Sequence, residues 1–453
     1  MRQKLYLLKN KLGIDGAIAF TSISRIIQAI GGIVSVVLVA SLLNGIEQGF
    51  YYTFASILAI QVFFELGLNG IITQYVAHEV SHLKQVGNHY EGNEVNLSRV
   101  ASLLHFTVKW FSVLAVFVFL LLLGVGYMFF NYYYKSDVVV DWHYPWILLS
   151  LGTTLNFLLS PIMAFIEGLG KVKEIAKIRM FQQFVGLLLL WTGLAIGLKL
   201  YVGGISSIIG ILILLFFIVK MFLPILKSIY HQKITERISY KTEIFPLQWK
   251  IALSWVGGYF IFQLFNPVLF ATDGPVVAGQ MGMTLSVLNA VLALSYAWVS
   301  TKIPVFSGYI SQQNFTALDK LFNATFLQSS LINVTALLGV FFVIFFIRFF
   351  NVELVGKQLA DKFLTYIPLS LMMISFFMNH LIGSWAVYLR CHKKEPMLIN
   401  SLAYGILSCL STIILGNRFG ILGITAGYCF ISVIIAVWAF RIFQIKKVKW
   451  HIS

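Results

Sequence analysis

The chain has 453 residues, 59% of them hydrophobic and only 11% charged, with a mean hydropathy of +0.85. That composition excludes a soluble domain with a polar surface and describes a polytopic, all-α membrane protein. The formal net charge of +16 reads as membrane topology, because the basic residues gather in loops on one side, and it does not call for a nucleic-acid partner.

Residues 1–13 read as a short basic amphipathic helix, with Leu5, Tyr6 and Leu8 on a membrane surface and Lys4, Lys9 and Lys11 among its headgroups. The apolar segment that follows is far longer than a signal-peptide core and has no small-residue cleavage site, so it stays as a membrane helix. Its span, about 14–43, is joined to a second, about 47–77, by the turn Asn44-Gly45-Ile46-Glu47-Gln48. A polar stretch, 78–98, precedes the third crossing, 99–130. The fourth is expected at 144–168, ending in the basic run Lys171, Lys173, Lys177 and Arg179. The fifth and sixth follow at 180–199 and 204–228.

A polar segment, 231–246, then interrupts the apolar pattern and reads as a cytoplasmic linker between an N-terminal six-helix lobe, 1–230, and a C-terminal six-helix lobe, 247–453. The second lobe holds crossings at 247–271, 276–304, 326–349, 363–389, 397–416 and 420–443, with a loop at 307–323. About twelve crossings put both termini on one side. Of the 33 lysines and arginines, six (Lys135, Lys199, Arg348, Lys357, Lys362 and Arg418) fall in loops opposite the N-terminus and three (Arg25, Lys109 and Lys220) in helices. The rest lie on the N-terminal side, so the positive-inside rule places both termini in the cytoplasm.

A weak internal repeat agrees with the division. Asn156 precedes Lys171, and Asn379 precedes Lys394, by the same spacing in the fourth crossing of each half. Six crossings per half imply a parallel repeat about a pseudo-twofold axis along the membrane normal, a recurring transporter design.

Charge inside the bilayer carries the functional information. Arg25 lies about 11 residues, or ~16 Å, into the first crossing, and Glu65 about 12 residues, or ~18 Å, from the far end of the second. Lys109 lies ~15 Å into the third. Charges at such depth face a bundle interior or a wet cavity. Two readings of Arg25 and Glu65 stand side by side: an interhelical ion pair that neutralises itself, or a guanidinium that forks onto phosphate oxygens beside a carboxylate that pairs with it or carries a coupling proton. Lys220 is near a helix end and can snorkel. In the second half Asn289, Asn379 and His380, with Gln263 and Asn266, either line the opposite wall or make ordinary interhelical hydrogen bonds. Pro267, Pro304 and Pro368 are candidate kinks, and Gly31, Gly32, Gly257 and Gly258 candidate points of bending or close approach.

No Asp-rich metal motif, Ser/His/Asp arrangement, HExxH or phosphate loop is present in the sequence, and the three cysteines (Cys391, Cys409 and Cys429) have no ligand spacing. The expectation is a protein that is not an enzyme and holds no cofactor. An integral-membrane glycan-processing enzyme remains an alternative.

The chain resembles polysaccharide flippases of the O-antigen (Wzx) type, in the superfamily that includes MATE multidrug exporters and lipid II flippases. The residues that carry the resemblance are Gln48-Gly49-Phe50-Tyr51-Tyr52 leading to Phe64-Glu65-Leu66-Gly67-Leu68, Arg25 in the first crossing, and Gly168-Leu169-Gly170-Lys171. It departs in having Glu65 where aspartate is frequent, and in lacking mid-helix arginines in the second half. The resemblance implies a MATE-like fold and translocation of an undecaprenyl-pyrophosphate-linked oligosaccharide across a bacterial inner membrane by alternating access. Arg25 and Lys109 would hold the pyrophosphate, and Glu65, Asn289, Asn379 and His380 would meet the rest of the headgroup. A proton or sodium gradient would drive the step. The partners implied are membrane lipids, a polysaccharide polymerase and glycosyltransferases, with the flippase itself a monomer. A cation-coupled exporter of small molecules is the alternative on the same architecture.

Overall fold

The computed structural model describes residues 16–135, 138–392 and 394–452; the side chains of Arg25 and of several neighbours in the first crossing, with a few near residue 250, lie outside the description. The amphipathic helix expected over 1–13 also lies outside it. The described chain is helical apart from two short hairpins, as the long apolar runs require when no water is present to satisfy backbone groups. Helices run in the order α1 (Gly16–Leu42), α2 (Gly45–Leu58), α3 (Val62–Glu65), α4 (Leu68–Val80), α5 (Glu94–Tyr133), α6 (His143–Gly168), α7 (Val172–Ala195) and α8 (Tyr201–Tyr230). They continue with α9 (Phe245–Phe262), α10 (Phe265–Thr272), α11 (Pro275–Ser300), α12 (Ile303–Ser311), α13 (Phe315–Phe349), α14 (Tyr366–Arg390) and α15 (Leu398–Ile452). Antiparallel hairpins β1–β2 (Leu83–Val86, His89–Gly92) and β3–β4 (Glu353–Leu354, Lys357–Gln358) punctuate them.

Among the described residues nine helical stretches are long and apolar enough to cross a bilayer, α2–α4 and α11–α12 each counting as one. The other positions at which the sequence places crossings are α1, α9–α10 and the part of α15 beyond Gly420, where the backbone leaves helical geometry at φ +55°. There Asp273 accepts the Ile421 N–H at 2.8 Å and caps the new helix. Pro267 and Pro304 stand just after helix breaks, and Pro368 in the first turn of α14. These are places where a missing N–H costs nothing.

The chain forms two compact units. The first holds the described residues of Met1–Gly31, Ile60–Asn131 and Val138–Trp255; the second holds Gly32–Ala59, Tyr132–Asp137 and the described part of Val256–Ser453. These units differ from a division at 231–246 in two ways, each with a local cause.

The first cause is in the first unit, where the polar segment is docked onto α5. Ser98 Oγ accepts the N–H groups of Thr235 and Glu236 at 2.7 and 2.8 Å, and Ser102 Oγ accepts that of Ile238 at 3.1 Å. Arg99 bridges Glu79 (2.9 Å) and Glu243 (2.6 Å), and Tyr75 donates to the Glu243 carbonyl. Burial pushes the Glu243 carboxyl up, but the Ser239 N–H and the Arg99 guanidinium outweigh it and hold the group below its ordinary range.

The second cause is in the second unit, where α2 lies against α11. A Cβ on Gly49 would sit 1.9 Å from the Pro275 carbonyl oxygen, and one on Gly279 2.9 Å from the Gly49 nitrogen. Only glycine permits that approach. Lys357 and Lys362 donate to the Leu42 and Leu43 carbonyls at 3.0 and 2.8 Å, satisfying the C-terminal end of α1. Gln48 donates to the carbonyls of Gly279 and Lys362.

Candidate functional site

In the first unit α4, α6 and α7 enclose a pocket of about 400 Å³ lined by Asn69, Thr73, Asn156, Ser160, Glu167, Arg179 and Gln182 with small and apolar neighbours. Each polar residue arrives by helical spacing. Asn69 and Thr73 fall on one line of α4 at a four-residue step, as do Asn156 and Ser160 on α6 and, at three residues, Arg179 and Gln182 on α7.

The second crossing is broken at its acidic residue. Leu66 and Gly67 both take left-handed conformations, φ +47° and +71°. For leucine that conformation costs on the order of 1–2 kcal/mol. The break ends α3 at Glu65 and starts α4 at Leu68, so the carboxylate lies beside the first turn of a new helix, where the positive end of its dipole favours an anion. Asn69 Nδ2 donates to Glu65 Oε1 at 2.6 Å and to Ser160 Oγ at 2.7 Å, while Asn69 Oδ1 is buried without a partner. Thr73 donates to the Ala164 carbonyl, and Gly168 brings α6 against Val76 and Thr73 of α4, since a Cβ there would lie 2.6 Å from Val76.

Across the pocket Arg179 Nη1 meets Glu167 Oε1 at 3.1 Å, with the arginine side chain 47% exposed and the glutamate 20%. A pair that open is worth about 1 kcal/mol or less. The arrangement therefore offers a guanidinium whose present partner is easily exchanged, two carboxylates, and a wall of amide and hydroxyl groups. It suits a polar ligand with an anionic group, and equally the neutralisation of a cation.

The residues expected from the sequence are divided between the two units, Arg25, Glu65 and Lys109 in the first and Asn289, Asn379 and His380 in the second. Glu65 adjoins the pocket. Arg25 lies on α1 with its side chain outside the description. Lys109 is exposed on α5 and does not line the pocket. Asn289 is exposed on α11.

Asn379 is enclosed in the second unit. It donates to Tyr428 Oη at 2.9 Å and accepts from Tyr404 Oη at 2.8 Å, while its carbonyl takes Tyr296 Oη at 2.7 Å. His380 is fully buried, its Nε2 at 3.3 and 3.4 Å from the hydroxyls of Ser329 and Ser330. For both, the interhelical hydrogen bond is what the structure contains. The repeat spacing thus relates two unlike asparagines, Asn156 open to a pocket and Asn379 closed in by tyrosines.

Arg179, Gln182 and Asn69 are absent from the expected set. The sequence reading ends the basic run before a helix starting at 180, whereas α7 begins at Val172 and carries Arg179 two turns in. Arg179, Gln182 and Gln183 recurring at helical spacing where the segment turns apolar are the signal that would have found the face, Gln183 taking a hydrogen bond from Ser24 at 2.5 Å.

No protein-family model matches the chain, and no curated protein matches it. Solved structures do. A MATE-family multidrug-resistance transporter of the MOP superfamily, in an inward-facing conformation, is 12% identical over 92% of this chain and 99% of its own, with a TM-score of 0.62. The lipid II flippase MurJ, in an inward closed conformation, is 15% identical over 95% of this chain and 89% of its own, with a TM-score of 0.63. A MOP-superfamily transporter from Pyrococcus furiosus, described by a binding pocket of reverse polarity, is 12% identical over 96% and 97%, with a TM-score of 0.56. At such identities the likeness speaks for the fold: this is an all-α, multi-pass membrane protein with the MATE-like fold of the MOP-superfamily transporters.

Proposed function

We propose that this protein is a flippase that moves an undecaprenyl-pyrophosphate-linked oligosaccharide, an O-antigen or capsular repeat unit, from the cytoplasmic to the periplasmic leaflet of a bacterial inner membrane by alternating access. Both termini would be cytoplasmic. The observation that carries this reading is the pocket of the first unit, whose amides, hydroxyls and Arg179 are the groups a glycan diphosphate would need. A sugar headgroup cannot enter hydrocarbon cheaply, because its hydroxyls lose their hydrogen bonds. A polar pocket replaces them. The fold shared with a lipid II flippase adds support, and Arg25 and Lys109 are further candidate contacts for the diphosphate.

A second reading, a cation-coupled exporter of small molecules, draws on Glu65 and Glu167, two carboxylates at one pocket. Purified protein in liposomes separates the two. The flippase reading expects leaflet exchange of a fluorescent lipid-linked oligosaccharide, read by enzymatic accessibility, to run at least tenfold faster than in protein-free vesicles. Exchange at the protein-free rate, together with gradient-driven extrusion of a cationic dye, would establish the exporter instead.

A further inference from the structure

We propose that Arg179 and Glu167 form an exchange pair: Arg179 is the phosphate-binding residue of the first unit's pocket, and Glu167 is the placeholder that an incoming lipid diphosphate displaces. The inference rests on the reading of that pocket as a headgroup site and assigns the work within it.

Arg179 reaches the pocket from the third turn of α7, with Lys171, Lys173 and Lys177 on the turns before it. A guanidinium is planar, permanently charged and able to fork onto two phosphate oxygens, which a lysine cannot do. Its present contact with Glu167 is a single one, Nη1 to Oε1 at 3.1 Å, and the arginine side chain is nearly half exposed. An approaching anion therefore finds free donors on Arg179 before the carboxylate has left.

Once phosphate holds the guanidinium, Glu167 loses its counter-ion beside a second anion, and that repulsion weakens binding. Replacing the carboxylate by an amide of the same shape removes the competitor and the repulsion together. Beyond the phosphate, Asn69 Oδ1 is buried with no partner and would accept a hydroxyl of the first sugar. A cavity of about 400 Å³ has the volume of a small-ligand site, enough for a phosphate and one sugar but not for a whole repeat unit.

The test is calorimetric titration of purified full-length protein in detergent with farnesyl diphosphate, inorganic pyrophosphate and farnesol. Farnesyl diphosphate is expected to bind saturably. Arg179→Ala should weaken it tenfold or more, Arg179→Lys less, and Glu167→Gln should tighten it about threefold. Competition by inorganic pyrophosphate would mark a site for the bare anion, and its failure to compete a site that needs the lipid; farnesol should not bind there in either case. Gel filtration and thermal unfolding confirm that each variant is folded, and Arg179→Lys carries the comparison if the alanine variant is not.

Unchanged affinity in both arginine variants, or a loss in Glu167→Gln as large as in Arg179→Ala, would overturn the assignment. If the arginine variants bind normally while lipid-linked oligosaccharide still crosses liposomes, the exchange pair falls and the flippase reading stands. If wild type binds farnesyl diphosphate through Arg179 yet moves no lipid-linked glycan, the anion site stands and the flippase reading falls.

Discussion

Arg99 of α5 holds Glu243 of the polar segment 231–246 at 2.6 Å through Nη2, and through Nε it holds the buried Glu79 at 2.9 Å. Removing the guanidinium takes the counter-ion from the Glu79 carboxylate, which is only 4% exposed and keeps Asn96 Nδ2 as a donor at 2.6 Å. Because Arg99 is itself partly exposed, Arg99→Ala is expected to cost about 2 kcal/mol, less than a fully buried pair. It should also open Lys233, Arg237 and Lys241 to trypsin, an effect visible in timed digests. Glu243 is held below its ordinary range, so its contribution is present at neutral pH and disappears as pH falls through that lowered value. Protection of the segment should fade on acidification in wild type. A digest of Arg99→Ala that matches wild type would dismiss this clasp.

Lys362 is buried and donates to the last carbonyl after α1, and burial, with Lys357 nearby, pushes its ammonium down to about 8. Because the folded state releases this proton earlier than the unfolded chain does, stability from this group rises with pH between about 8 and the ordinary lysine range. The Tm of wild type relative to Lys362→Met should therefore increase by a few degrees from pH 7 to pH 9.5. A difference that stays flat would show that the buried ammonium carries no such penalty.

Gly49 and Gly258 make a matched test of close packing. Gly49→Ala drives a methyl into the Pro275 backbone, whereas Gly258→Ala meets nothing within 4 Å. The first is expected to cost about 2 kcal/mol or more, the second to be neutral or to stabilise α9 by up to about 1 kcal/mol. Thermal unfolding in detergent reads both, and equal effects would contradict the packing described for α2 and α11.

Glu65 accepts from Asn69, and Glu65→Gln keeps an oxygen for that bond while abolishing titration. If Glu65 carries a coupling proton, this variant should move substrate in vesicles at a rate that no longer follows an imposed pH gradient. An unchanged gradient dependence would leave Glu65 as a structural acceptor only.

Much of the fold was legible because hydropathy alone places the crossings, and Glu65 stood out because a carboxylate in an apolar run has few places to go. The bend at Leu66 was not legible, since a leucine in a left-handed conformation has no sequence signature. Nor was the Arg99–Glu243 contact, which joins residues far apart in the chain. Arg179 escaped for a different reason: charge counting assigned it to a loop, and only its helical spacing with Gln182 and Gln183 sets it on a polar face. His380 and Asn379 are buried polar groups, and sequence cannot separate a cavity wall from a satisfied hydrogen bond.

The most direct test of the pocket's role is site-specific photocrosslinking to a radiolabelled lipid-linked oligosaccharide. A photoreactive residue at Gln182, inside the pocket, is expected to capture the label, and one at Leu120, exposed on α5, to capture little. Equal labelling at the two positions, or none at 182 while translocation proceeds, would contradict a headgroup site between α4, α6 and α7.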